Sequence, residues 1–541
     1  MSASDVTQPA TTVSTAPLFS RTATGLVRLG TPYRMLVANV INIGVTYAAF
    51  YFWLVPGLFP QTNLVLSVLL TIPFGLCFLT TWGLLAILMP RSGGEYIWIS
   101  RAVHPAVGFG ISGLTFVSWA FWTGLAGYWV ATLVIGPICS VLGASKGNST
   151  LIDIGTHLQT SGLPSWPWAF GVAVALLSLL LLSRGMNFYY RIQHWMWVVG
   201  LLTLAVCVGV LLFGSSVDVR DAFNGLATAG GHHGDAYREV QLAAANKPSG
   251  TTLYGIFAMF ALFSFVATTS GYIAGEVRMP RRTQLIGAAG GGLVYCVIVL
   301  ILLLAMAKGV GLGFNNDAAW VSLNDPNHYP VVESPTFMLW MALLAKSNTV
   351  VLILVAIGLT IFSVNWAPTV ILSASRQLFA WGFDRLLPEP VTKVSRRGSP
   401  TLALGIIVAL GILLISLYAN GDFLYVAPYL ALVLAFGFVS VVATLVPFLP
   451  TTRRMYEGSP ADIRVAGVPL ITIVGVPATV FYGIAAYYHL SVSALAFNTT
   501  SNVLLTLFSF LVPAVLWFII KAVRSWQGIK LDAVYRGLPP E

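Results

Sequence analysis

Residues 61–90 read QTNLVLSVLLTIPFGLCFLTTWGLLAILMP, a run of thirty positions without a charged side chain. A helix needs roughly 20 apolar residues to cross a ~30 Å hydrocarbon core, so this run is long enough. A charge at the centre of such a helix costs about 2.5–3.5 kcal/mol on insertion, which accounts for the gap. The runs 35–60, 192–217, 347–375 and 423–452 are equally free of charge. Only 9% of the 541 residues are charged and 57% are hydrophobic, with a mean hydropathy of +0.83. A soluble domain carries about 25% charged residues. The chain is therefore read as an all-α integral membrane protein.

Twelve spans are predicted, near 35–58, 63–89, 106–136, 166–183, 192–214, 252–275, 284–307, 349–375, 400–418, 423–449, 469–489 and 502–520. With the N-terminus cytoplasmic, 22 of the 28 Lys and Arg residues but only half of the 18 Asp and Glu residues fall on the cytoplasmic side. That is the positive-inside bias. The net charge of +10 is thus a topology signal. Nucleic-acid binding needs a clustered basic face, and none is visible, so the expected partners are the bilayer and a small-molecule substrate. Oligomeric state is not read from the sequence.

The division expected along the chain is a disordered cytoplasmic tail at 1–33 and a first set of five spans at 34–214. An outer loop follows at 215–251, then a second set of five spans at 252–449, two further spans at 465–523 and a cytoplasmic tail at 524–541. Residues 337–344 are apolar but too short to span, which fits an interfacial or re-entrant piece. Cys77, Cys139, Cys207 and Cys296 lie at unrelated spacings and read as small hydrophobes, not as a disulfide or metal set. The seven histidines fall in loops or at span ends, and no catalytic set is visible, so an enzyme is not expected. A channel filter usually comes from symmetric subunits, and a single long chain with two halves fits a carrier better. The glycines of the third span (Gly108, Gly110, Gly113, Gly124, Gly127) and the seventh (Gly287, Gly290, Gly291, Gly292) read mainly as close helix packing.

Transporters bind substrate near the midplane, at interrupted helices whose free backbone groups act as ligands. The first span offers Asn42-Ile43-Gly44-Val45-Thr46-Tyr47. The sixth offers Ser264-Phe265-Val266-Ala267-Thr268-Thr269-Ser270-Gly271. These two segments occupy corresponding positions of the two halves. No acidic or basic residue lies within a predicted span, and buried charges want partners, so a neutral amino acid is the expected cargo. Glu95 and Glu276 are placed at the cytoplasmic edge, as helix caps or partners of nearby arginines.

The cytoplasmic links carry sharper patterns. Pro90-Arg91-Ser92-Gly93-Gly94-Glu95-Tyr96 follows the second span, and Glu276-Val277-Arg278-Met279-Pro280-Arg281-Arg282 follows the sixth. Ser375-Arg376 and Asp384-Arg385-Leu386-Leu387-Pro388 follow the eighth. In order and placement these resemble the marks of the amino acid–polyamine–organocation (APC) superfamily of permeases, over roughly 34–523. The chain departs from the usual pattern in having only Gly44 and Thr46, then Tyr47, where a G-S-G-I-F-like stretch is common. It also has Leu84 where a Glu often stands.

The resemblance implies a LeuT-like fold, with spans one to five repeated upside down as six to ten and two helices outside. It implies secondary transport by alternating access, spans one, two, six and seven rocking against three, four, eight and nine. Substrate would be held by the unwound middles of spans one and six, at Asn42, Ile43, Gly44, Val45, Thr46 and Tyr47 and at Phe263, Ser264, Phe265, Val266 and Thr268. Phe265 or Phe263 would be the lid, with Trp119 or Trp122 and Ser363 or Asn365 completing the pocket. No cofactor is implied. The coupling ion would be Na+ or H+, with Thr360 and Ser363 as hydroxyl ligands for sodium. A carrier of polyamines or other small amines, and a non-transporting receptor or scaffold, are the alternative readings.

Overall fold

The computed structural model describes residues 19–21, 23–42, 49–60, 62–248, 255–256, 268–421, 427–493 and 498–539. Among these, ten helices are long and apolar enough to cross a membrane: Leu64–Leu88, Pro105–Lys146, Trp166–Ser183, Met186–Phe213, Pro280–Gly309, Thr349–Phe383, Thr401–Asn420, Pro428–Leu445, Leu470–Ser491 and Thr500–Trp526. They coincide with ten of the expected spans. The first and sixth are described in pieces, Pro32–Asn42 and Tyr51–Leu58 for one, and Thr268–Tyr272 for the other. The protein is an all-α membrane protein. Its outward side chains match that solvent: Leu504, Leu507, Phe508, Leu511, Val515 and Ile519 of the last helix are exposed along one face.

Several spans are locally broken, and proline explains two of the breaks. A proline has no N–H to give to the carbonyl four residues back, and its ring crowds that carbonyl. Pro137 follows the π-helical turn Val130–Ile135 in the third span. Pro368 sits four residues after Val364, where the eighth span divides into Thr349–Val364 and Trp366–Phe383 with Asn365 between them. Close packing of small residues is equally direct. A Cβ on Gly127 would stand 2.3 Å from the Phe170 carbonyl oxygen, and one on Gly113 would stand 2.3 Å from the Ser509 oxygen, so the third helix must run backbone to backbone with its neighbours.

The end of the bundle away from the N-terminus is covered. Residues 215–251, expected as a loop, instead contain helices Ser216–Ala229 and Ala236–Ala243. The first begins with a capping box between Ser215 and Asp218, which satisfies two free N–H groups at once. Its Val219, Ala222, Phe223 and Leu226 are buried at helical spacing. The short helix Phe337–Leu344 does not span, and its residues Phe337 to Leu343 are all buried. Asn315 links these pieces to the first span, donating to the Phe52 carbonyl at 2.8 Å and accepting from Trp340 Nε1 at 2.8 Å.

The arginine-rich end is closed by the three sequence patterns, which meet. The Gly93 N–H donates to the Tyr272 carbonyl at 2.9 Å, joining the first pattern to the sixth span. Gly93 and Gly94 have φ of +124° and +58°, values that favour glycine. A Cβ on Gly94 would lie 2.6 Å from the Tyr272 ring. Arg376 forms a fork on Glu276, Nε to Oε1 at 2.6 Å and Nη2 to Oε2 at 3.0 Å. Arg101 forms a second on Asp384 at 2.6 and 2.8 Å, with the Tyr96 hydroxyl also donating to Asp384 at 2.8 Å. All four charged groups are buried. Bidentate, charge-assisted pairs of this kind fix geometry as well as charge. Glu276 thus pairs with an arginine, as the sequence suggests; Glu95 does not.

Two outcomes are expected in thermal unfolding of the purified protein. Gly94→Ala should destabilise by about 2–4 kcal/mol, combining the left-handed backbone cost with overpacking against Tyr272. Gly147→Ala, at φ +62° with nothing within 4 Å, should lose only the ~1–2 kcal/mol backbone part. Arg376→Ala should cost about 3–5 kcal/mol by stranding Glu276, whereas Arg376→Met combined with Glu276→Leu should recover most of that loss. Equal destabilisation in the single and double variants would contradict this account.

Candidate functional site

The first and sixth spans are tied side by side through four polar side chains. Asn39 and Asn42 lie three residues apart on helix Pro32–Asn42 and so share a face. Asn39 Nδ2 donates to Ser270 Oγ at 2.9 Å, and its Oδ1 accepts the Ser270 N–H at 3.0 Å. Asn42 Nδ2 donates to Thr268 Oγ1 at 2.6 Å. The two candidate segments are therefore brought together at their described borders, Asn42 and Thr268. Ile43, Gly44, Val45, Thr46, Tyr47, Phe263, Ser264, Phe265 and Val266 lie outside the described residues.

The third span supplies both candidate tryptophans, at different levels. Trp119 is fully buried and donates from Nε1 to the Tyr272 hydroxyl at 3.0 Å. Trp122, one turn further from the arginine-rich end, stands edge-on to Trp366 and Tyr429, with ring centroids 5.1 and 5.0 Å away. Trp129 stacks on Trp366 from the next turns. Aromatic faces thus border the region on one side.

The eighth span supplies the other candidates at its break. Asn365 is fully buried, yet neither its Nδ2 nor its Oδ1 has a hydrogen-bond partner, and buried Ser363 Oγ also lacks one. A buried, unsatisfied polar group costs about 1–3 kcal/mol, so three such atoms at one helix break make this an unusually costly place in the span. Thr360, the other hydroxyl considered for sodium, is half-buried one turn away. The helix after the break packs on both other elements. Ser373 Oγ approaches Thr269 Oγ1 at 3.5 Å.

Below Trp119 lies a polar cluster that hydropathy does not reveal. Glu95 begins helix Glu95–Ala102, which folds back into the bundle, and its side chain is fully buried. Its Oε1 accepts from Thr115 Oγ1 at 2.6 Å and from Gln377 Nε2 at 2.7 Å. The Tyr272 hydroxyl also hydrogen-bonds to this carboxylate. Its Oε2 has no hydrogen-bond partner. Burial pushes the carboxyl up and the hydrogen bonds from Thr115, Tyr272, its own backbone N–H and Gln377 pull it back, leaving it at about 7. Gln377 also reaches Ser112 Oγ at 3.1 Å. The signal that could have found the cluster is modest: Gln377 is a lone amide beside the Ser375-Arg376 pair, and Glu95 follows two glycines of unusual conformation.

The arrangement can hold a small, polar, uncharged or zwitterionic molecule between hydrogen-bonding groups and aromatic faces. The cysteines are free thiols. Among the described residues no group of three or more His, Cys, Asp or Glu is placed to hold a metal ion. No curated protein matches the chain closely. Its sequence does match the amino acid permease family over residues 40–532. That stretch takes in all ten membrane-crossing helices, the described piece of the sixth span and the three link patterns, so the chain belongs to the amino acid permeases, a family of multi-pass membrane transporters.

Proposed function

We propose that this permease carries neutral amino acids by alternating access, the substrate lying between the first, third, sixth and eighth spans. The observation that carries the reading is the buried, unpartnered Asn365 with Ser363 beside it. It is supported by the aromatic wall of Trp122 and Trp366 and by the Asn42–Thr268 bond joining the two candidate segments. The described side chains around the site, namely Asn42, Thr268, Trp119, Trp122, Ser363 and Asn365, are all uncharged. A cationic or anionic side chain would be left without a partner there, a costly state for a buried charge.

Alternating access gives the two closed ends a purpose. The forks of Arg376 on Glu276 and Arg101 on Asp384 would hold the arginine-rich end shut, and the helices around Asn315 would hold the other. Spans one, two, six and seven would rock against three, four, eight and nine, breaking one closure at a time. Under the positive-inside rule the arginine-rich end, with both termini, is cytoplasmic, and the protein resides in a cell membrane. A carrier of small organic amines is the rival reading, since Glu95 offers a carboxylate that Tyr272 links to Trp119.

Thermal-shift and counterflow measurements with purified protein test the reading. Alanine, leucine or phenylalanine should raise the melting temperature and drive counterflow in proteoliposomes; response to arginine or putrescine alone would overturn the neutral assignment. Asn365→Leu should raise KM about tenfold or more, because hydrogen bonds to charged groups contribute about 1.5–3 kcal/mol and 1.4 kcal/mol is tenfold. The same variant should melt no lower than wild type without substrate, because it removes unsatisfied buried atoms. An Asn365→Leu protein with unchanged KM would remove this residue from the pocket.

A further inference from the structure

Three buried carboxylates lie near the arginine-rich end, and they are not equivalent. Glu276 and Asp384 each sit in a fork with an arginine. Glu95 is as deeply buried, but its partners are the neutral donors Thr115, Gln377 and Tyr272. The titratable and charged groups on every element packed around it are already engaged. On the eighth span Arg376 holds Glu276, and on its own helix Arg101 holds Asp384 while Tyr96 donates to Asp384. On the sixth, Tyr272 accepts from Trp119 and bonds Glu95 itself. The third span presents Ser112 and Thr115. Tyr429, the titratable group of Ala427–Leu445, bonds Tyr51.

The positions of the partners matter as much as their neutrality. Tyr272, of the sixth span, belongs to the group of spans proposed to rock, whereas helix Glu95–Ala102 packs chiefly on the third span. Thr115 of the third span and Gln377 of the eighth belong to the group they rock against. The bond from Trp119 Nε1 to the Tyr272 hydroxyl therefore crosses between the two groups, and Glu95 sits at that crossing on the Tyr272 hydroxyl. The Trp119–Tyr272–Glu95 chain then joins this crossing point to the wall of the substrate region.

We propose that Glu95 is the proton-binding site of this permease, and that its protonation state couples a proton gradient to opening of the arginine-rich end. The inference rests on the alternating-access reading above. The step is simple: the carboxylate takes one proton from the aqueous side to which the site is open, and gives it up on the other side after the rocking motion. While charged, the carboxylate holds the Tyr272 hydroxyl at that crossing as well as Thr115 and Gln377 on its own side, since hydrogen bonds to an ionised acceptor are roughly twice as strong as neutral ones. Once protonated it has lost that advantage. Its new O–H becomes a donor in a cluster where Gln377 Oε1 is a buried acceptor without a partner. Protonation thus weakens the closure between the groups of spans while relieving an unsatisfied atom.

The sign of the linkage agrees. A carboxyl whose folded-state value is raised contributes stability that is present at low pH and is lost as pH rises from the unfolded value of about 4.3 toward about 7. The folded protein therefore prefers the proton, and a deprotonated Glu95 is held by Thr115, Tyr272, Gln377 and its own backbone N–H.

The experiment uses the full-length protein, wild type and Glu95→Gln, in two measurements. In proteoliposomes, an inward acid gradient should raise wild-type uptake of the substrate several-fold, and Glu95→Gln should lose that stimulation while retaining counterflow exchange. Stimulation by the acid gradient surviving in Glu95→Gln overturns the proposal, as does wild-type uptake driven by sodium alone, the outcome expected of a site at Thr360 and Ser363. The second measurement does not need transport: infrared spectra of wild type should show a carboxylic-acid carbonyl band that fades as pH rises through about 7 and is missing from Glu95→Gln. Failure of the transport reading would abolish counterflow in both proteins and leave that band in place, whereas no titrating band in wild type overturns the proton site itself. Should Glu95→Gln fail to fold, Gln377→Met serves instead. Loss of that donor should move the fading of the band, and the pH dependence of uptake, to higher pH, and an unmoved profile overturns the proposal.

Discussion

The fork of Arg376 on Glu276 is the interaction on which the arrangement of this protein most depends. Two opposite charges are removed from water together, and each is tolerable only because the other is there. The pair joins the eighth span to the segment that follows the sixth, so it fixes where Thr268–Tyr272 can lie. From that placement follow the Asn42–Thr268 and Asn39–Ser270 bonds, the Gly93–Tyr272 bond and the Trp119–Tyr272 bond. Without the fork, the short described piece of the sixth span would have few apolar side chains of its own to anchor it. Arg101 on Asp384 repeats the device between the link after the second span and the end of the eighth.

A bilayer offers no water to a stray N–H or hydroxyl, so polar groups inside a membrane bundle must be satisfied by protein or line a cavity. Most of the serines and threonines described within the membrane-crossing helices obey this by bonding back to the preceding turn, as Thr71 does to Ser67 and Thr123 to Trp119. Against that background Asn365 and Ser363 stand out. They occur where Pro368 has already cost the helix a bond, so the local structure is loosened by a residue that has no other evident purpose there. A broken helix and unsatisfied side chains at one point set this part of the eighth span apart from the other spans.

Much of this was legible in the sequence. Charge-free runs such as 61–90 locate the spans because hydrocarbon forbids charge, and that rule holds without reference to neighbours. The three link patterns give the family because their glycines and charges have fixed work to do: Gly94 must turn where a Cβ would strike Tyr272, and Arg376 must meet Glu276. Glu95 escaped the reading for the same reason the spans were easy. A hydropathy window places 90–104 in a link because it contains Arg91, Glu95 and Arg101, but helix Glu95–Ala102 folds back and is buried throughout. Burial of a polar segment by long-range packing leaves no periodicity in the segment itself. The helices within 215–251 were missed differently. The spacing of Val219, Ala222, Phe223 and Leu226 and the Ser215/Asp218 cap were present, but the length and polarity of the stretch suggested a loop.

The contrast among the three buried carboxylates carries the final step. Arginine stays protonated at any pH a cell meets, so a fork such as Arg101–Asp384 stays closed chemically and yields only to mechanical separation. A carboxylate held by hydroxyls and an amide can change its charge without any atom moving far, and it then changes the strength of every bond it makes. Permanent closures and a titrating one within the same end of the bundle divide the labour. The forks set a barrier that stays fixed, and Glu95, between two groups of spans and one tyrosine from the substrate wall, is placed to raise or lower it. The position of Gln377, one residue from Arg376, puts a partner of each kind of carboxylate on successive residues of one helix.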